Sequence, residues 1–435
     1  MRRALVLALL VAGCGGSSDP HPAAPRLTGA ARCGEATCAT LRVPLDRSAA
    51  RGPALDLQVV VQGPANAPVL VFLSGGPGEP GVSFLRRVRG WLGPEADRLR
   101  VVAFDQRGTG DDALQCPALQ RQMGASDLSP PTAGAVRDCA RALGPRRRFF
   151  TTADTVADLD ALRRALHVDK LALDGVSYGT YTAQRYALAH PRHVRALVLD
   201  SVVPSGGVSL LSDAQMRATR RILGPVTTAA LAKVVARRHD GPQLLDMLTT
   251  LSVGAPRDDG YVAAIRAAAR GDDASLDRWL RGVGQAVHRW PAEQLSQGLH
   301  ASTLCADSPA PWGGASAPAA GRAAALRRAA DALPPSALYP FDRATAAGNG
   351  FALQCLYWPP VAVPSAPTAG RLPAVPTLLL NGDRDLSTPY EWARGAVRLA
   401  PRGTLMIVKG AGHDVQDQGD PKALAAVRRF VASPG

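Results

Sequence analysis

Lysine is nearly absent from this chain. Only Lys170, Lys233, Lys409 and Lys422 occur in 435 residues, so the other 46 basic residues are arginine, scattered rather than clustered. The formal charge of +14 therefore includes no basic block interleaved with aromatics, which make up 5% of the chain, and nucleic-acid binding is not expected. Attraction to an anionic membrane surface is the milder consequence. Long apolar runs are equally scarce. The one at residues 4–12 is too short to span a bilayer, and no later stretch is long enough for a transmembrane helix. Cysteine is limited to seven, none at the spacing of a zinc site, so neither metal nor cofactor is expected.

What is present begins with a leader. Met1-Arg2-Arg3 and the apolar residues after it end in Val11-Ala12-Gly13-Cys14, which resembles a bacterial lipobox. The resemblance implies a signal peptide at 1–13, lipid attachment at Cys14, and a flexible tether over 14–32. A plain secretory signal is the alternative. Either places the protein outside the cytoplasm, and the first anchors it to the bacterial cell membrane. Six cysteines remain, an even number that implies disulfides in an exported chain. Sequence proximity suggests Cys33–Cys38, Cys116–Cys139 and Cys305–Cys355, among 15 possible pairings.

The chain is long enough to bury a large core. Residues 40–44 and 54–61 alternate like two opening strands, expected as a hairpin at a sheet edge. Residues 68–73 and 100–104 are apolar throughout, as buried parallel strands are. The first opens into Ser74-Gly75-Gly76-Pro77-Gly78, the second into Asp105-Gln106-Arg107-Gly108. Helical spacing over 152–166 is followed by strands at 171–176 and 194–199. Strand alternating with helix predicts a doubly wound α/β sheet. From residue 204 to 372 strand-like runs vanish, and Pro-broken helical stretches take over at 213–222, 244–251, 261–270 and 321–333. This reads as a helical cap inserted between core segments 33–203 and 373–435. Sheet character returns at 376–380 and 404–408, with helices at 390–399 and 421–431.

The chemistry centres on Gly175-Val176-Ser177-Tyr178-Gly179, set between a strand and a helix. Such a turn strains its serine and lifts the side chain clear of the sheet. By itself the pentapeptide is weak, since roughly one chain in five with this glycine content holds it by chance. A serine hydroxyl also needs a base, and the base an orienting carboxylate. Of the eight histidines, only His413 directly follows a core strand, in Gly410-Ala411-Gly412-His413. Asp385 stands in the matching place after the preceding strand. Asp383 competes with it, with a turn-capping role as its alternative. The order Ser177, Asp385, His413 differs from that of chymotrypsin and of subtilisin.

Together these motifs resemble the α/β-hydrolase serine peptidases of the prolyl aminopeptidase and tripeptidyl aminopeptidase family, from about Cys33 to the C-terminus. The likeness rests on residues 38–46, Gly75–Gly78, Asp105–Gly108, Gly175–Gly179, Gly382–Asp385 with Thr388-Pro389, and Gly410–His413. It implies an α/β-hydrolase fold with Ser177 as nucleophile, Asp385 as acid and His413 as base. The N–H groups of Gly76 and Tyr178 are implied as oxyanion donors. Two departures bear on substrate preference: Ser74 stands where the prolyl enzymes have His, and Glu79-Pro80 where small residues are commoner. Exopeptidases of this type need an anion for the substrate's ammonium. Asp307, Glu293 and Asp342 in the cap and Glu79 in the core are the candidates, with solvated surface carboxylates as the alternative reading, and a cap acid such as Asp307 is expected to be the one responsible. The expectation is an exported aminopeptidase acting on peptides with free N-termini. A carboxylesterase on the same fold, or an inactive binding module, are its rivals.

Overall fold

In the computed structural model, which describes residues 25–49, 51–257, 259–363 and 369–433, the apolar runs pair into one sheet. Its strands are β1 (Leu27–Cys33), β2 (Ala36–Pro44), β3 (Ala54–Gln62), β4 (Val69–Leu73), β5 (Arg100–Phe104), β6 (Leu171–Val176), β7 (Val194–Asp200), β8 (Pro376–Gly382) and β9 (Arg402–Val408). The order across the sheet is β1-β2-β3-β5-β4-β6-β7-β8-β9. From β5 to β9 all pairs are parallel, while β1, β2 and β3 form an antiparallel wing joined to β5. This is the mostly parallel, doubly wound arrangement that the alternating pattern predicts.

The central strands are apolar throughout because both their faces are covered. In β4, Val69, Val71 and Leu73 point to one side, among Leu159 and Leu162 of the helix Thr152–Ala165 and Ala183 and Tyr186 of the helix Tyr178–Ala189. Leu70 and Phe72 point to the other, among Val88 and Leu92 of the helix Leu85–Leu92 and Ala423 and Val427 of the helix Pro421–Ala432. The period of two thus feeds two separate apolar layers.

Two expectations need correction. The opening hairpin is not the sheet edge, because β1 lies outside it. Residues 27–32, expected as tether, therefore belong to the sheet. The middle five residues of β1 are exposed, so no apolar alternation betrays it; backbone pairing to β2 and the Cys33–Cys38 bridge hold it. The second correction concerns the segment between β5 and β6, read as core. Its helices Pro117–Met123 and Ala133–Leu143 place Leu119, Met123, Val136 and Leu143 in the cap's apolar cluster, beside Leu248, Ile265 and Leu304.

Between β7 and β8 the described residues hold helices and loops but no strand. The helix begun at Asp213 continues to Arg238, breaking only at Gly224 (φ 68°, ψ 171°) before Pro225, which starts the second stretch. The helices Ala274–His288, Gln297–Asp307 and Gly350–Tyr357 were not expected. Cys116–Cys139 and Cys305–Cys355 each tie two helices of this layer together, in the pairs that proximity suggests. No helix among the described residues is long and apolar enough to cross a membrane, and the leader with Cys14 lies outside them.

Candidate active site

Ser177 follows β6 at φ 54° and ψ −123°, a left-handed backbone that residues with side chains rarely adopt. The turn closes this tightly because glycines stand two residues to either side. A Cβ on Gly179 would stand 2.0 Å from the Leu73 carbonyl oxygen, and one on Gly175 2.5 Å from that of Gly179. Strand, helix and the loop after β4 therefore meet backbone to backbone. The Ser177 N–H donates to the Asp200 carbonyl at 2.9 Å, and the Thr180 hydroxyl to the Ser177 carbonyl at 2.6 Å. The serine is half-buried, and Tyr178, its successor, opens the helix.

The facing loop is closed by its own side chains. The Ser74 hydroxyl donates to the Glu79 carbonyl at 2.7 Å, and the Gly75 N–H to the Glu79 carboxylate at 3.2 Å. Gly76 (φ 98°) and Gly78 (φ 127°) turn the chain between them. The cap is stitched to this loop, since the Ser296 N–H donates to the Gly78 carbonyl at 3.0 Å.

At the ends of β8 and β9 the structure brings Asp385 and His413 together, with His413 Nδ1 3.0 Å from Asp385 Oδ2. Asp385 is fully buried and held from several directions. Its Oδ2 accepts the Thr388 hydroxyl at 2.7 Å and the Asn381 amide at 3.4 Å, and its Oδ1 accepts the Thr388 N–H at 2.9 Å. Burial alone would push the imidazole pKa down, but the charge and hydrogen bond of Asp385 outweigh it and lift His413 to about 9. Asp383 instead accepts the Gly410 N–H at 2.7 Å, bracing the turn that carries His413. From the cap, the Ser252 carbonyl accepts the His413 N–H at 3.1 Å and its hydroxyl the Leu386 N–H at 3.0 Å.

A second polar cluster lies behind the loop after His413. Asp200, at the end of β7, accepts the Val415 and Gln416 N–H groups at 3.0 and 2.8 Å. The Ser201 hydroxyl donates to Asp200 at 3.1 Å and accepts the Asp414 N–H at 2.8 Å. Ser201 (φ 59°) and Asp414 (φ 57°) are both left-handed, so the clamp holds strained backbone. Burial pushes Asp200 up to about 6 and its neighbour Asp174 to about 7, against the hydrogen bonds each receives. Asp200 thus grips the Ser177 backbone with its carbonyl and the His413 loop with its carboxylate.

The four carboxylates considered for the ammonium part company. Glu79 lies beside Ser177. Asp307 is committed elsewhere: its Oδ2 accepts the Thr152 N–H at 3.0 Å and the Tyr178 hydroxyl at 3.2 Å. Glu293 is exposed and accepts from Gln115 at 2.7 Å. Asp342 caps the helix Arg343–Gly348, accepting the Thr345 N–H at 2.7 Å. Arg107 of the motif at residues 105–108 serves the scaffold, with a buried two-point contact to Asp158 at 2.6 and 2.8 Å. Sequence reasoning missed Ser252, Asn381, the role of Thr388, and the clamp of Asp200 and Ser201. Only Thr388 left a signal, three residues after Asp385 where a side chain closes a turn on an aspartate. Among the described residues no group of three His, Cys, Asp or Glu could hold a metal.

Comparison with known proteins fits this geometry. A family model described as alpha/beta hydrolase fold matches residues 68–420. A tripeptidyl aminopeptidase of Streptomyces lividans is 33% identical over 188 residues, covering 38% of this chain but only 35% of that protein. Serine protease Hip1 of Mycobacterium tuberculosis is 27% identical over 460 residues, covering 89% of this chain and 83% of the relative. A probable proline iminopeptidase of Streptomyces coelicolor is 31% identical over 166 residues, covering 38% of this chain and 41% of the relative.

Proposed function

The chain belongs to the alpha/beta hydrolase fold family, and from that premise we propose that it is an exported serine aminopeptidase. In this reading it releases short N-terminal units from peptides through an acyl-enzyme. The observation that carries it is the Asp385–His413 contact beyond the C-terminal ends of the same parallel strands that present Ser177 in its strained turn.

With Nδ1 engaged by Asp385, His413 has Nε2 left for the serine hydroxyl. Ser177 Oγ bonds to the scissile carbonyl carbon as its proton passes to Nε2. The N–H groups of Tyr178 and Gly76 face the oxygen that gains charge. Collapse breaks the C–N bond, and the departing amine takes the proton from His413. Water then repeats the attack on the ester, with His413 again the base, and frees the acid. Relatives named as a tripeptidyl aminopeptidase, a serine protease and a probable proline iminopeptidase support a peptide as acyl donor. The leader ending at Cys14 supports export and a lipid anchor, and three disulfides suit an oxidising compartment.

The test pairs labelling with a substrate panel. A fluorophosphonate should modify Ser177 alone, as peptide mapping reads out. Arylamides of amino acids and tripeptides with free N-termini should then be cleaved faster than their N-acetylated forms. Turnover of p-nitrophenyl esters without any arylamide cleavage would make the protein a carboxylesterase instead.

A further inference from the structure

Glu79 comes from the core loop rather than the cap, and its carboxylate lies close to Ser177. The position that a Cβ on Gly75 would occupy is 3.1 Å from Glu79 Oε2 and 3.1 Å from Ser177 Cβ. At most twice that distance therefore separates the carboxylate from the nucleophile's Cβ. One backbone N–H, from Gly75, is its hydrogen-bond donor at 3.2 Å, and the residue is half-buried.

We propose that the Glu79 carboxylate receives the free α-ammonium of the substrate, and that its closeness to Ser177 fits the site to release one N-terminal residue at a time. The inference rests on the aminopeptidase reading above and narrows it.

Distance decides the length. An α-nitrogen lies about 2.5 Å from its own carbonyl carbon, and each further residue adds about 3.3 Å. A contact of about 2.8 Å to Glu79 and a near-attack approach of about 3 Å to Ser177 Oγ then bridge the gap for a single residue. The ammonium of an extended tripeptidyl unit stands roughly 7 Å farther out, beyond this carboxylate.

Charge makes the anchor selective as well as attractive. An anion beside the site where an oxyanion develops opposes its formation. Burial, the largest influence, leaves the Glu79 pKa raised, with Asp127 adding to it, although His413, the Gly75 N–H and Arg87 lower it. Asp127 is itself engaged by His300 at 3.0 Å, and Arg87 by Asp417 at 3.3 Å. A substrate ammonium neutralises Glu79 where the tetrahedral charge forms. A blocked substrate leaves it unneutralised.

The experiment compares wild type, Glu79→Gln and Glu79→Asp. The substrates are an aminoacyl p-nitroanilide, its N-acetyl form, a tripeptidyl p-nitroanilide and p-nitrophenyl acetate. The wild type should prefer the aminoacyl over the tripeptidyl substrate by about tenfold or more. Glu79→Gln should lose roughly 30-fold in kcat/KM on the free aminoacyl substrate and gain on the N-acetyl one, with Glu79→Asp recovering part of the first loss. Equal losses on all four substrates would make Glu79 a brace of the loop and overturn the proposal. A wild type that prefers the tripeptidyl substrate would overturn the single-residue length while leaving the aminopeptidase reading intact. A wild type that cleaves only the ester would remove that reading and the anchor with it. If Glu79→Gln does not fold, the wild type decides: its preference for the free over the N-acetyl substrate should shrink as the α-ammonium loses its proton above about pH 8. A flat ratio overturns the anchor.

Discussion

The two halves of the site are built by opposite means. Around Ser177 close backbone contact sets the geometry, with Ser74, Glu79 and Thr180 adding a few side-chain bonds: glycines let a strand, a helix and a loop touch, and no Cβ fits at Gly175 or Gly179. Around His413 the backbone is held by side chains. Asn381, Thr388, Ser252, Asp200 and Ser201 supply donors and acceptors to the loops that carry Asp385 and His413. Steric exclusion sets the first half and hydrogen bonding the second. The first should therefore fail when atoms are added, the second when polar atoms are removed.

The largest effects test the Ser177 half. Ser177→Ala removes one oxygen and should lower kcat by about a million-fold, with the melting temperature essentially unmoved. Gly179→Ala adds one carbon and should instead cost stability, about 3 kcal/mol, because the Leu73 carbonyl cannot retreat from the sheet. Thermal melts beside active-site titration separate the two. A Gly179→Ala protein as stable as wild type would contradict the steric account.

Next in size is the acid. Asp385→Asn should reduce kcat by about ten-thousand-fold, whereas Asp383→Asn should cost less than tenfold, since its bond is to the Gly410 N–H. The reverse outcome would exchange the roles of the two residues. The pair also differs in pH dependence. His413 is raised from 6.5 to about 9, so the folded state favours its protonated form. That contribution to stability is complete below the ordinary histidine range and is lost as pH rises through about 9. Asp385→Asn removes its main cause, so the gap in melting temperature between the two proteins should narrow from pH 6 to pH 10.

Smaller again is the clamp. Asp200→Asn keeps the shape but loses one acceptor for the Val415 and Gln416 N–H groups. A displaced imidazole costs about a hundredfold when a base moves by an ångström. The loss should fall on kcat, with KM within a few-fold. A loss confined to KM would place Asp200 at the substrate instead.

The same contrast explains what the sequence could disclose. Ser177, Asp385 and His413 are legible because their signals are local: a glycine pattern and an apolar run fix each at a strand end. β1 is not, because an exposed edge strand has no apolar face to display. The helices at Pro117–Met123 and Ala133–Leu143 look like core elements until the cap packs on them. Ser252 and Asp200 meet the His413 loop across more than 150 residues of chain, and no spacing records that. The preference for a cap acid such as Asp307 is not supported by its surroundings, since Thr152 and Tyr178 occupy its carboxylate, and no sequence signal separates it from Glu79.

The finest test concerns Thr388. Its hydroxyl donates to Asp385 Oδ2 at 2.7 Å and lies 3.2 Å from His413 Nδ1. Thr388→Val keeps the volume and removes the donor, so the carboxylate turns more of its charge toward the imidazole. The His413 pKa should therefore rise above about 9, by roughly half a unit. Catalysis uses the neutral imidazole, and below the limb each pH unit changes its fraction tenfold. At pH 7 the variant should be slower by about threefold, and the difference should vanish above the limb. Loss of one buried hydrogen bond should also cost about 1 kcal/mol of stability. A pH profile of kcat/KM whose limb moves down, or does not move, would mean that Thr388 only supports the turn and does not share the Asp385 charge with His413.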